Sequence, residues 1–406
     1  MENQKKGSKS MIPVPPQYIR AFVLVSSLFL LWGVANSMLE VLNKHFQEHL
    51  HVSIQQSNLV QFCGYFAYFL MGLPAGYFMK KFGYKNGILL GLAMYAFGAF
   101  LFYPATIAGQ FIYFLIAILT MGCGIAVIET AANPYVTVLG DRETGPQRVN
   151  IAQILNGVGI IIGPLMGGLM VFKKGSGLEA VQTPYICIGL AVLAVAFFIY
   201  RTPLPEIEDE KSDVNALTGS KKFTDFSFWG AVAAQFFNCG GMVCVWAAFI
   251  NYCVETEGID KQAASFMFSA SMVLFLSGRF VGTALMSRVS PSRLLFIFAL
   301  GCVLGCGLVF QNIKGVSLVG LFVIQFFMSI TFPTIFGMGV KDLGDKTKLG
   351  SSYIIMAIIG GALMPQFSGR LADLFHSTAY GFIVPAICYA FVAFYAFVYQ
   401  KSEAVA

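Results

Sequence analysis

Between Lys85 and Arg142 the chain carries no basic residue, and its one acid before Asp141 is Glu129. Glu129 sits in an apolar stretch that starts at Phe111 and runs through Ala126-Val127-Ile128-Glu129-Thr130-Ala131-Ala132-Asn133-Pro134. A run of this kind supplies the roughly 20 residues that a bilayer core requires, and nothing nearby in sequence neutralises the acid within it. An ionisable group at membrane depth costs roughly 2.5–3.5 kcal/mol on insertion scales, which makes it a functional-site hypothesis by default. After a short charged turn over residues 140–148, a second apolar segment carries Gln153 and Asn156. On a helix Glu129 and Asn133 share one face at i, i+4, and so do Gln153 and Asn156 at i, i+3. The two segments therefore bring an acid and several amides to membrane depth.

The remainder of the chain repeats that apolar pattern. Apolar residues make up 57% of it and charged residues only 11%, against about 25% charged in soluble domains. The expected fold is an all-α membrane protein with twelve transmembrane helices. They are placed near 18–42, 54–79, 87–105, 109–138, 149–172, 183–200, 225–253, 262–287, 291–310, 316–340, 350–374 and 378–399. The long polar stretch between the sixth and seventh spans divides the chain. Residues 1–17 are read as a cytoplasmic tail, 18–200 as one six-helix bundle, 201–224 as a cytoplasmic linker, 225–399 as a second bundle and 400–406 as a cytoplasmic tail. Basic residues set the orientation. Lys80, Lys81, Lys85, Arg142, Arg148, Lys341, Lys346 and Lys348 fall on the side of the termini, and only Lys44, Lys173, Lys174, Lys261 and Lys314 on the other. Both termini are thus expected in the cytoplasm. The nine cysteines form no CxxC pair and read as small core residues.

The two halves share landmarks. Gly159, Pro164 and Gly168 recur 201 positions later as Gly360, Pro365 and Gly369; Pro134 has a counterpart in Pro333 and Asn36 in Asn238. A parallel repeat places a substrate site between the halves near the midplane. The acids break the repeat, since Glu40 aligns with Met242 and Glu129 with about Met328.

Each polar group has a plain reading beside the functional one. Asn36, Glu40 and Asn43 form a stripe on the first helix; Glu40 either marks the helix end at the outer interface or faces a water-filled cavity. Glu129 is either a structural acid paired with Arg279 or Arg370, or part of the site. Amides such as Gln153, Asn156, Gln235, Asn238 and Gln325 are each interhelical hydrogen-bond formers, worth about 0.6 kcal/mol on average. As a set they describe a cavity suited to a polyhydroxylated solute. No nucleotide-binding, nucleophile or metal-ligand motif appears, so neither an enzyme nor an ATP-driven pump is expected.

Several segments carry a family likeness: residues 129–140, Asn150-Ile151-Ala152-Gln153, residues 278–283, Phe332-Pro333-Thr334-Ile335-Phe336 and Gly350-Ser351-Ser352-Tyr353. Through these the chain resembles the major facilitator superfamily and, within it, the fucose:proton symporter family, over nearly all twelve spans. The resemblance implies inward symport of a monosaccharide, L-fucose or a related hexose, with a proton across a bacterial inner membrane. It places the two proton-coupling carboxylates at Glu40 and Glu129 and sugar-contacting amides at Gln153 and Asn156. The full candidate binding set is Asn36, Glu129, Asn133, Gln153, Asn156, Gln235, Asn238 and Gln325. Leu39-Glu40 departs from the Asn-Asp usual in the family and extends the carboxylate by one methylene. Asn156-Gly157 stands where many relatives have Asn-Pro. The expected partners are a sugar, a proton and the bilayer, without nucleic acid, cofactor or metal, and the chain is expected to be a monomer. The alternatives are an uncoupled sugar facilitator and a sugar-binding membrane sensor.

Overall fold

The computed structural model describes residues 13–52, 56, 59–171, 177–204, 226–259, 261–341 and 343–405. Ten helical runs among them are long and apolar enough to cross a membrane. One of these, Leu59–Ala108, is two spans joined almost without a loop. The backbone turns at Gly83, where φ is +82° and ψ 170°, a conformation that only glycine adopts without strain. One further helix, Gly145–Met166, completes twelve. In chain order they are α1 (Ile19–His49), α2 (59–82), α3 (84–108), α4 (Phe111–Val138), α5 (Gly145–Met166), α6 (Gln182–Arg201), α7 (Phe226–Glu255), α8 (Lys261–Leu285), α9 (Pro291–Phe310), α10 (Val316–Val340), α11 (Thr347–Leu374) and α12 (Thr378–Glu403). Helix α5 ends in a wider turn at Gly167–Val171. The proposed tail 1–17 and linker 201–224 lie largely outside the described residues.

Apolar side chains such as Phe97, Ile107, Leu169, Leu304 and Ile387 remain exposed on the bundle's outside, as a lipid-facing surface requires. Lipid tails give helices no hydrophobic reason to associate, so the spans must hold together by close packing. The repeat landmarks do this. A Cβ on Gly159 of α5 would lie 2.3 Å from the Leu30 carbonyl of α1, and one on Gly360 of α11 would lie 2.0 Å from the Phe236 carbonyl of α7. The same helix pair is thus sealed in the same way in each half. Gly369 differs, since a Cβ there would meet nothing within 4 Å.

Contacts between the halves run through α2, α4 and α5 on one side and α8, α10 and α11 on the other. They concentrate toward the end that carries the termini. There Lys341 pairs with Glu143 at 3.1 Å, and Asn150 Nδ2 donates to Thr334 Oγ1 at 3.1 Å. Pro146 packs on Gly337. The apolar core of the first half continues through Phe332, Phe336, Val340 and Ile354 of the second. At the opposite end the acids of α7 and the loop after it bind within their own half: Glu255 accepts from the Thr378 amide at 3.1 Å and Glu257 from the Gly315 amide at 3.0 Å.

Two prolines shape the interior. A proline inside a helix leaves the carbonyl four residues earlier without its donor. Pro134 frees the Thr130 carbonyl of α4, which accepts from Ser351 Oγ of α11 at 3.3 Å. Pro333 frees the Ser329 carbonyl of α10, which accepts from Arg279 Nε of α8 at 2.9 Å.

Candidate functional site

Glu129 lies deep in α4 and is 2% exposed. Asn133 Nδ2 donates to its Oε1 at 3.5 Å, and Oε2 has no hydrogen-bond partner. The other groups around the carboxyl come from separate helices: the Tyr68 hydroxyl from α2 and Cys239 from α7. Glu129 forms no ion pair among the described residues. The structural reading of Glu129 as the partner of Arg279 or Arg370 therefore fails. Arg370 is exposed. Arg279 is buried, but its guanidinium donates to two backbone carbonyls, Gln153 of α5 at 2.6 Å and Ser329 of α10 at 2.9 Å, and lies 4.7 Å from the Phe275 ring. Proline-freed and inter-half carbonyls supply its acceptors in place of an acid.

The amides fall into two groups. Gln153, Gln235, Asn238 and Gln325 are buried and keep unpaired atoms: Gln153 Nε2, both polar atoms of Gln235 and of Asn238, and Gln325 Nε2. Asn133 Oδ1 belongs with them. Gln325 Oε1 accepts from Trp246 Nε1 at 3.2 Å. Asn156 is instead partly engaged, donating from Nδ2 to the Phe29 carbonyl of α1 at 3.4 Å. Asn36 is half-buried and lines a small cleft with Ala35, Leu39, Gly64, Tyr68 and Met121. Residue 40 belongs to α1, while the Glu40 side chain lies outside the described residues.

Depth joins three of these amides to Glu129. Counted from the terminal end of each helix, Glu129, Gln153, Gln235 and Asn238 all stand roughly two to three turns in. Natural proteins pair nearly all buried polar atoms, and each exception calls for an explanation. Leaving such an atom unpaired costs about 1–3 kcal/mol. Several exceptions at one level, contributed by helices of both halves, form a set of donors and acceptors matched to a ligand rich in hydroxyls. Among the described residues no three metal-ligating side chains gather. Sequence reasoning missed Tyr68 and Cys239 as neighbours of Glu129. Tyr68 reads in the sequence only as a ring that could stack on a sugar, and a lone cysteine in an apolar helix carries no signal until the helices are brought together.

The chain matches the family model of the Major Facilitator Superfamily over residues 21–353. It is 36% identical to an L-fucose-proton symporter of Escherichia coli (strain K12), with 93% of each chain covered. It is 31% identical to a glucose/galactose transporter of Brucella abortus, with 94% of each covered. Among solved structures, it superposes with a TM-score of 0.83 and 37% identity on a crystal structure of a Major Facilitator Superfamily transporter, FucP, in the outward conformation, covering 94% of this chain and 99% of that one. A proton:xylose symporter, XylE, at 14% identity and a TM-score of 0.75, shares the fold.

Proposed function

The chain belongs to the major facilitator superfamily, and from that premise we propose that it is a proton-coupled symporter importing a monosaccharide, L-fucose or a related hexose, by alternating access. The observation that carries this reading is the set of unpaired buried polar atoms around Glu129, drawn from both halves. Asn133, Gln153, Gln235, Asn238 and Gln325 pair with sugar hydroxyls, with Asn36 and Asn156 at the margin of the site. Rocking of one half against the other breaks this set apart and frees the sugar.

Glu129 and Glu40 carry the proton. A carboxylate with no cation beside it is costly to hold at membrane depth, and binding a proton removes the cost. The same event changes what Glu129 offers a sugar: ionised, it only accepts hydrogen bonds; protonated, it also donates one. Sugar and proton occupancy are thereby linked at a single side chain.

The membrane is a bacterial inner membrane, with both termini in the cytoplasm and the chain a monomer. The sealed end then faces the cytoplasm. The protein needs no cofactor beyond the coupling proton.

The test is sugar-induced alkalinisation of the medium around energy-depleted vesicles containing the protein. Symport predicts alkalinisation in step with uptake. Sugar entry without proton movement would make the protein an uncoupled facilitator, and binding without entry would make it a sensor.

A further inference from the structure

Three buried polar atoms of neighbouring side chains make no hydrogen bond of good geometry: Trp32 Nε1 of α1, Tyr68 Oη of α2 and Glu129 Oε2 of α4. They are neighbours of one another, since the Tyr68 hydroxyl interacts with both Trp32 and Glu129. Tyr68 also lines the cleft enclosed by Ala35, Asn36 and Leu39 of α1, Gly64 of α2, and Met121 and Ile125 of α4. That cleft is of the size that holds about one water molecule. Its walls belong wholly to the first half. Residues Leu39, Gly64 and Met121 lie farther from the terminal end than Glu129 does, and Leu39 is followed in the chain by Glu40. Gln235 and Asn238 approach the level of Glu129 from the second half, and Gln325 lies farther from the terminal end. Glu129 thus stands between two territories, the amides on one side and, across Tyr68, a narrow, largely apolar cleft whose polar lining is Asn36 and Tyr68.

We propose that Tyr68 is the proton relay to Glu129, and that the proton arrives through the first-half cleft, which meets the sugar's space only at Asn36. The proposal rests on the symport reading. In the relay, a hydronium in the cleft gives its proton to the Tyr68 oxygen as the Tyr68 O–H passes its own proton to the Glu129 carboxylate. One O–H bond forms and one breaks at the tyrosine, which ends unchanged. The hydronium becomes water and Glu129 becomes a neutral acid. A hydroxyl suits this task because it donates and accepts at one atom. In the relay, Trp32 Nε1, a donor only, closes onto the tyrosine oxygen's lone pair and so turns its hydrogen toward the carboxylate. The titratable groups facing this pair are Cys239 from α7 and Tyr65 from α2. No basic side chain among the described residues competes for the proton by an ion pair to Glu129.

Tyr68→Phe removes the oxygen and keeps the ring, and two assays on the full chain in proteoliposomes read the result. Sugar exchange under equal sugar on both sides needs no net proton movement, whereas uphill uptake driven by an imposed pH gradient does. The expected outcome is exchange within about twofold of the parent, with gradient-driven accumulation and sugar-induced alkalinisation lowered about tenfold or more. Exchange should also stay insensitive to this substitution from acidic to neutral pH, which a general loosening of the site would not produce. If Tyr68→Phe accumulates sugar as the parent does, Tyr68 is no relay. If exchange falls together with accumulation, the hydroxyl serves the sugar or the fold, and the relay is again excluded. A parent protein that moves sugar without protons overturns the symport reading itself, a result distinct from either outcome for the variant. Ala35→Leu, placed in the cleft wall, should mimic Tyr68→Phe by excluding water while leaving exchange intact; unimpaired accumulation there excludes the cleft as the route.

Discussion

A carboxylic acid at membrane depth is defined by what stands beside it. Glu129 has an amide, a hydroxyl and a thiol around it and, among the described residues, no ion pair. Glu129→Gln keeps one acceptor oxygen and cannot exchange a proton. It should weaken sugar binding by about 1–3 kcal/mol, the cost of a mismatched buried hydrogen bond, measured by calorimetric titration. Glu40→Gln should keep exchange and abolish uphill uptake, measured as counterflow against gradient-driven accumulation; accumulation at the parental level would remove Glu40 from the coupling. Glu129 and Asn133 were legible in the sequence because a lone acid and an amide one turn away stand out in an apolar run. Arg279 was legible as an anomaly but not as a solution. Its acceptors are the main-chain oxygens of Gln153 and Ser329. A proline in the sequence marks Ser329 as needing a donor, but only the packing of α8 on α10 says which donor reaches it.

At the scale of helices, the repeat read from the sequence is real where backbones touch and incidental elsewhere. Gly159 and Gly360 are both required, because each lets two helices meet carbonyl against Cα. Gly369, which keeps the same offset from Gly168, faces open space. Gly360→Ala should therefore cost about 1–3 kcal/mol through overpacking and lower the Tm of the purified protein. Gly369→Ala should be neutral or gain roughly 0.5 kcal/mol from helix propensity, and equal losses in both variants would refute the distinction. The helix count was legible from apolar runs alone. The tight joint between α2 and α3 was not, because a sequence shows that a glycine is present at residue 83 and not that its φ is positive.

For the whole molecule, the state captured is the one in which the terminal ends of the halves are locked together. Arg279 is the buried cation in that lock, beneath the Lys341–Glu143 pair, bridging α8 to the other half at Gln153. A hydrogen bond to a charged group is worth about 1.5–3 kcal/mol. Arg279→Met should accordingly shift the balance between sealed and opened forms by about ten- to a hundredfold. A cysteine placed at Val340, buried in that seal, would report the shift as faster maleimide labelling in a background without native cysteines. Unchanged labelling would show that the apolar contacts alone close this end.

The two proline-freed carbonyls have unlike fates in a rocking cycle. Ser329 and Arg279 belong to the same half, so that bond travels with it as a rigid part. Thr130 is held by Ser351 of the opposite half, and any separation there strips the oxygen of its donor. Thr130 directly follows Glu129, so one peptide unit links the parting of the inner doorway to the side chain that bears the hydrogen ion.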